Sequence, residues 1–461
     1  MQTKKTIAII LPRGEAIRNF VYSGIIDQLR KDYFIILISV KPNQQIWQLL
    51  SDKSDELVEL KNHPFSYSYR LFFEIYDLAH NRFMWSEAAK VRWTMRDVES
   101  KTFFSKIKRR IKKSLASMLA TQKSMEILEK LDTYLASREK SVRQWINFFQ
   151  SRNPYIIFNT SQSHARNALP CVYAANKLRI KTSTFLFSWD NLTSQGRVVP
   201  RYDYYFGWNT KIKNDFHRIY PHINRDSVLV SGTPQFIGHY QEENHLSVEE
   251  IKNQLGLRPD EEYFLYSSGM SHHMPLEPYV VARIADIIKK IGTKYRLVVR
   301  TYAKDRDDVF ERLKTERPDI IIPDVKWERK FQTPLPEDQV FFSSLLKHCI
   351  GGINVASTIS LELCMFDKPA INVGYNPPEK DISPYNYTRF YSFDHYKPTV
   401  ESGAVQVAKD EVEMESYLRD AIQHPEKYSK ARKDLINNFF EGKPGLEVVS
   451  EFVKIINQPS L

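Results

Sequence analysis

The sequence predicts an α/β protein of two doubly wound domains of parallel sheet, with a helical insertion in the first domain. Three observations carry this. Short apolar runs of strand length alternate with helical patterns through most of the 461 residues, the signature of parallel α/β layers. The alternation stops over residues 60–150, which are aromatic, basic and helix-prone without evident strands, and then resumes. After Gly232-Thr233-Pro234 and the polar stretch Gln241–Leu246 a fresh series begins. The expected domains are therefore 1–235, carrying the insertion at 60–150, and 240–440, with a last helix at 441–461.

The first series opens with a strand at Thr6–Leu11, the turn Pro12-Arg13-Gly14-Glu15, a helix through Asp27–Leu29 and a strand at Phe34–Val40. Past the insertion come Tyr155–Phe158, a helix over 163–178, and the strands Thr182–Phe187, Tyr202–Phe206 and Ser227–Val230. The second series runs Glu262–Tyr266, a helix at Glu277–Ile291, then Arg296–Val299, then a strand Val340–Phe342 leading into a helix to His348. Ile350–Val355 and Pro369–Tyr375 read as buried strands joined by a hydroxyl-rich turn and one short helix. Helices at 409–423, 425–440 and Leu446–Ile456 close the chain. Ligands of such sheets sit outside the carboxyl ends of the strands, so two facing domains imply a site in the cleft between them.

Composition narrows the class. With 42% hydrophobic and 13% aromatic residues the chain has ample material for cores, which excludes disorder over most of its length. No apolar run approaches the ~20 residues of a membrane span. The N-terminal apolar stretch Ile7–Leu11 is too short for a secretion signal and reads as a core strand. Cys171, Cys349 and Cys364 are scattered, odd in number and lack metal-ligand spacing, so a reducing, cytoplasmic location is expected.

A net charge of +11 calls for an anionic partner. Between Lys101 and Lys113, KTFFSKIKRRIKK carries seven lysines and arginines. Phe104, Ile107, Ile111, Leu115 and Met118 recur there at helical spacing. Residues 101–118 thus form an amphipathic basic helix suited to anionic lipid headgroups, which would place the protein peripherally on the inner membrane face. Against that stands a helix docked on the core with its basic side in water. No nucleic-acid-binding motif accompanies the charge, so nucleic acid is not an expected partner.

The most informative stretch is IGGINVASTISLELCMFDKPAINVGY, residues 350–375. Ala356-Ser357-Thr358 puts hydroxyls where a strand hands over to a helix, whose free N–H groups and positive dipole end suit a phosphate. Thr358 and Glu362 are four residues apart and share one helix face. A carboxylate there is poor for phosphate but good for the 2′- and 3′-hydroxyls of a ribose, so the pair points to a bound nucleotide. A solvated glutamate behind a Ser N-cap would also read this way. Ser268-Gly269, after the strand Glu262–Tyr266, could turn N–H groups to a phosphate or merely make a turn. Arg300, ending another strand, and Lys304 behind it could supply charge to a diphosphate or be ordinary surface cations. The segment Phe187–Gly196, FSWDNLTSQG, is densely polar, and its Asp190 fits a catalytic role or an Asx turn.

Taken together, these features resemble bacterial glycosyltransferases of the GT-B type, which have two facing Rossmann-like domains. The resemblance covers most of the chain outside 60–150 and is strongest at NVASTISLELCMFDKPAIN, which looks like the family's donor-binding strand–helix unit. It implies that Ser357 and Thr358 contact the donor phosphates, that Glu362 holds the ribose and that Arg300 faces the diphosphate. LPRGEAIRNF and SWDNLTSQG are similar to segments of envelope-polysaccharide glycosyltransferases and of relatives that transfer glycerol phosphate from a CDP donor. Two departures stand out: the glycine-rich loop after the first strand is reduced to Gly14, and Tyr302 replaces the histidine or proline that often follows the basic strand end.

The implied reaction needs neither metal nor cofactor, the nucleotide sugar being a co-substrate, because helix dipoles and cations offset the leaving diphosphate. The implied acceptor is a cell-envelope glycan or a lipid-linked molecule. An inverting transfer needs one base, for which Glu15 and Asp190 are the candidates and His164 the third. The same fold would also serve a CDP-glycerol-type glycerophosphotransferase, a nucleotide-sugar epimerase, or a non-catalytic glycan- or lipid-binding protein.

Overall fold

A computed structural model describes residues 4–62, 64–98, 102–162, 166–194, 196–303, 309–378, 386–442 and 447–458. The chain divides into two compact units, Met1–Gln235 with Lys443–Leu461, and Phe236–Gly442.

The first unit is built on β1 (Thr6–Leu11), β2 (Phe34–Ser39), β3 (Glu56–Glu59), β4 (Ile156–Asn159), β5 (Lys181–Phe185), β6 (Tyr204–Gly207) and β7 (Val228–Val230). They form one parallel sheet in the order β3-β2-β1-β4-β5-β6-β7. The central strands are continuous apolar runs because helices cover both faces; Ile7, Ile9, Ile10 and Leu11 are all buried. β1 lies between β2 and β4, with Ile7 opposite both Ile35 and Ile156. The winding direction therefore reverses between β1 and β4. The last helix, Glu447–Asn457, packs on this sheet, with Phe452 against Phe158 and Phe206 at ring distances of 4.3 and 4.8 Å.

Between β3 and β4 the insertion forms the helices Tyr67–Met84, Glu87–Val98, Phe103–Met118, Gln122–Ala136 and Lys140–Arg152. Ser66, Thr102 and Thr121 cap three of them through their hydroxyls. A buried ion network ties the insertion to the sheet. Arg197 donates to Asp77 at 2.9 Å and to both carboxylate oxygens of Asp132 at 3.3 and 3.4 Å. Tyr69 and Tyr173 also donate to Asp132. Burial raises both tyrosine hydroxyls well above their ordinary range, which keeps them protonated as donors. The Arg197 guanidinium lies 3.9 Å from the Tyr76 ring centre.

The second unit contains β8 (Glu262–Ser267), β9 (Tyr295–Arg300), β10 (Ile320–Ile321), a small antiparallel pair β11 (Trp327–Glu328) and β12 (Thr333–Pro334), then β13 (Gly352–Asn354), β14 (Ala370–Val373) and β15 (Val405–Ala408). The main sheet is parallel in the order β10-β9-β8-β13-β14-β15, so its winding reverses between β8 and β13. Gly352 lets the next helix approach closely: a Cβ there would lie 2.4 Å from a Leu363 methyl.

Two doubly wound parallel sheets with a helical insertion in the first are thus present, as the sequence predicts. One expected element changes. Val340–Phe342 is not a strand but the middle of the helix Pro336–His348. Pro336 at its first turn and the acidic Glu337 and Asp338 next to it start the helix ahead of the bulky run. β3 and β15 escape the sequence reading because their segments, ELVE and VQVA, interleave polar with apolar residues instead of forming a continuous apolar run.

Candidate functional site

In each open sheet, the point where winding reverses leaves a crevice at the carboxyl ends of two neighbouring strands. In the second unit those strands are β8 and β13, and part of the sequence-predicted donor set, Ser268, Gly269, Ser357, Thr358 and Glu362, follows them in the chain. Ser267-Ser268-Gly269 leaves β8, and Val355–Thr358 leaves β13. The turn after β13 is held from below by Asn354, which accepts from the Ser357 N–H at 2.9 Å and donates to Ser360 at 3.1 Å. Ser360 is in turn bonded to Tyr396 at 2.8 Å and to Asn372 at 3.0 Å. Ala356 takes φ 42°, a left-handed conformation that costs an L-residue roughly 1–2 kcal/mol. Strain of this kind persists where surrounding bonds over-determine the backbone, and here they do.

Two hydroxyls are presented at this edge with protons to give. Ser268 Oγ accepts from the Tyr302 N–H at 2.8 Å, and Ser357 Oγ accepts from the Ile359 N–H at 3.4 Å. Neither donates to an acceptor among the described residues. Ser267 Oγ and His273 Nδ1, in the same β8 loop, are buried without hydrogen-bond partners among the described residues. Burial, then His272 and Arg389, lowers His273 to about 4, so it is neutral at physiological pH.

Glu362 lies one turn into the helix Ile359–Met365 that Thr358 caps, and its side chain is almost buried. Its partner is His239, whose Nε2 is 2.8 Å from Oε2; Oε1 has no partner among the described residues. His239 opens a chain of polar contacts. Its Nδ1 is 2.8 Å from Ser343 Oγ, which is 3.0 Å from His245 Nε2, while Lys347 Nζ is 3.2 Å from His245 Nδ1. An ammonium only donates and a carboxylate only accepts, so the donor order runs from Lys347 through His245, Ser343 and His239 to Glu362. Burial, with Lys347, His239 and His348 close by, keeps His245 below the ordinary histidine range. Sequence reasoning missed His239. Only the spacing of Ser343 and Lys347, four apart on one helix, could have hinted at a shared face.

The other predicted residues are placed differently. Gly269 has its N–H on both carboxylate oxygens of the buried Glu277, at 3.0 and 3.1 Å, so that amide is already occupied. Arg300 is buried and fork-bonded to Asp338, at 3.1 and 2.5 Å. Asp338 also accepts from Lys326 N and Trp327 Nε1, both at 2.9 Å. Arg300 therefore braces β9 against the helix Pro336–His348, with two of its five N–H donors spent on Asp338. Lys304 lies outside the described residues.

In the first unit, Glu15 and Asp190 sit on one sheet edge, beyond β1 and β5, with β4 between them. Neighbouring strands are about 4.8 Å apart, which sets those two chain exits roughly 10 Å from each other. Glu15 is buried and accepts from Arg13 at 2.8 Å. Arg13 lies 5.8 Å from the Phe187 ring centre, linking the two exits. Asp190 is half-buried and accepts from the Ser194 hydroxyl at 2.5 Å across one helical turn. Gln162, from the β4 exit, bridges to Phe187 N at 3.1 Å. Just past Glu15 the chain makes a π-helical turn, Ile17–Tyr22, a rare form frequent at functional sites, and Asn19 Nδ2 within it is buried without a partner among the described residues. His164 lies outside the described residues. Among the described residues no cluster of His, Cys, Asp or Glu could hold a metal ion, and no helix is long and apolar enough to cross a membrane.

A scan against protein-family models and a search of curated proteins find no match. Solved structures do match. The chain resembles the UDP-GlcNAc 2-epimerase from Neisseria meningitidis bound to UDP-GlcNAc, at 12% identity and a TM-score of 0.55, over 98% of this chain and 100% of that one. It also resembles S. aureus MnaA in complex with UDP, at 15% identity and a TM-score of 0.56, over 99% and 98% of the two chains. The wall teichoic acid polymerase TagF matches at 11% identity and a TM-score of 0.51, over 98% and 88%. At these identities the likeness establishes the fold: two Rossmann-like domains of the GT-B kind.

Proposed function

We propose that the protein is a metal-independent glycosyltransferase that takes a sugar from a nucleotide-activated donor and transfers it to a cell-envelope glycan or lipid-linked acceptor. One observation supports the reading: Ser268 follows β8, and Ser357 with Glu362 one helical turn on follows β13, the two strands that flank the reversal point. In this reading the two serines, with Thr358, bind the donor phosphates. Glu362 Oε1 accepts from the ribose hydroxyls while His239 fixes Oε2, and Glu15 or Asp190 takes the acceptor proton. The neighbours solved with UDP or UDP-GlcNAc support a nucleotide-sugar ligand. A lipid-linked acceptor suits an enzyme that works at a membrane face without spanning it.

A second reading keeps the donor site and changes the reaction to isomerisation of the sugar on its nucleotide. It draws on the epimerases among the structural neighbours. The TagF likeness supports a glycerophosphotransferase in the same way. Incubation with UDP-, GDP-, CMP- and CDP-linked donors separates them. Epimerisation yields a new nucleotide sugar without any acceptor, whereas transfer releases nucleotide and depends on one. A glycerophosphotransferase releases CMP from CDP-glycerol.

Glu362→Ala is expected to weaken nucleotide binding by roughly 1–3 kcal/mol, the loss of charge-assisted hydrogen bonds to the ribose. Calorimetry with UDP and CDP on the folded variant measures it. Unchanged affinity for a nucleotide that the unsubstituted protein binds would remove Glu362 from the ribose role.

A further inference from the structure

A surface helix ordinarily buries its apolar stripe and wets its charges. The insertion helix Phe103–Met118 does the reverse. It docks through Ala116, fully buried in an apolar cluster that includes Tyr76, Leu78 and Met125, and through cations turned inward. Arg109 donates to Asp97 at 2.7 Å, Lys112 to Glu74 at 2.6 Å, and the Lys113 ammonium lies 4.6 Å from the Trp93 ring centre. The apolar stripe faces outward, with Phe104 82%, Met118 77%, Phe103 72% and Ile111 64% exposed, and with Ile107 and Leu115 exposed beside them.

The remaining cations frame that stripe. Lys106, Lys108 and Arg110 are exposed and have no ion-pair partner among the described residues. At about 3.6 residues per turn, Lys108 lies roughly 60° to one side of the Phe104–Ile111–Met118 line and Arg110 roughly 100° to the other, with the exposed Lys106 roughly 140° round on Arg110's side. The helix contains no acidic residue.

We propose that this face lies on an anionic lipid surface, its phenylalanines and aliphatic side chains entering the acyl boundary while Lys106, Lys108 and Arg110 reach back to the headgroup phosphates. The charge pattern favours lipid over a second copy of the chain. A self-docked pair would bring two sets of the same cations together with no carboxylate from either helix to meet them. The inference rests on this helix alone and holds whatever reaction the protein catalyses.

Flotation of the full chain with phosphatidylcholine vesicles containing or lacking phosphatidylglycerol tests it. The protein is expected to float with the phosphatidylglycerol vesicles at low salt and to be released as salt rises, because headgroup attraction is screened. Phe104→Ser combined with Ile111→Ser should abolish flotation. Lys106→Gln, Lys108→Gln and Arg110→Gln together should weaken partitioning about 100-fold, close to fivefold for each cation at the surface. All five side chains are exposed, so melting temperatures should not change. Absence of flotation at low salt, or equal flotation of either variant, overturns the proposal. So does a concentration-dependent dimer in ultracentrifugation that the Phe104→Ser, Ile111→Ser variant loses, since the face would then be an interface between copies.

Discussion

One of the two substitutions Glu15→Gln and Asp190→Asn is expected to lower kcat for transfer by about 10²–10⁴-fold, the contribution of a positioned general base. Each swap keeps the side-chain shape and removes the negative charge with its capacity to take a proton. The two carboxylates differ in how firmly they are held. Glu15 is buried and gripped by Arg13 at 2.8 Å, which fixes its geometry. Asp190 is half-buried and bonded to Ser194 within its own turn, so it stays closer to water. Donor affinity should be nearly unchanged in both variants, because the proposed donor contacts come from the second unit. The Arg13 pair is lost in Glu15→Gln, and a melting curve must accompany the kinetics to separate a folding defect from a catalytic one. Turnover close to the unsubstituted level in both variants would exclude both as the base and send the search to His164.

The fold was legible because its central strands are unbroken runs of branched apolar residues. TIAIIL, FIILIS and IIFN are short, rich in isoleucine and lack a helical stripe, which fits strands of a sheet covered on both faces. The Ser357–Glu362 unit was legible for a related reason: strand, turn and helix are contiguous, so their spacing survives in the sequence. What could not be read is whatever depends on distant partners. Glu362 meets His239 across 123 residues, and Arg300 meets Asp338 across 38. A strand-terminal arginine looks the same in sequence whether it faces a ligand or a buried carboxylate. The basic helix shows the limit from the other side. Its amphipathicity was plain, but which face would dock depended on Asp97 and Glu74, and periodicity does not reveal partners.

Asp132→Ala should destabilise the first unit by about 3–5 kcal/mol, the effect of removing one partner from a buried ion pair. Arg197 would keep only Asp77, with its guanidinium still shut away from water, and the hydroxyls of Tyr69 and Tyr173 would lose their acceptor. Two units need not unfold together, so the loss should be followed through probes in the first unit during urea denaturation. Replacing the charges together, Arg197→Met with Asp132→Leu, should recover only part of the loss: apolar packing can substitute for the Arg197–Asp132 pair, but Asp77 then keeps only the exposed Arg166 at 3.5 Å. Function should suffer before global unfolding. Arg197 directly follows FSWDNLTSQG, and it ties that segment, with Asp190, to the helices Tyr67–Met84 and Gln122–Ala136. Nucleotide affinity should therefore hold in Asp132→Ala at temperatures where transfer has already fallen. A loss of stability under about 1 kcal/mol, the range of an exposed pair, would mean that the network does not anchor the insertion.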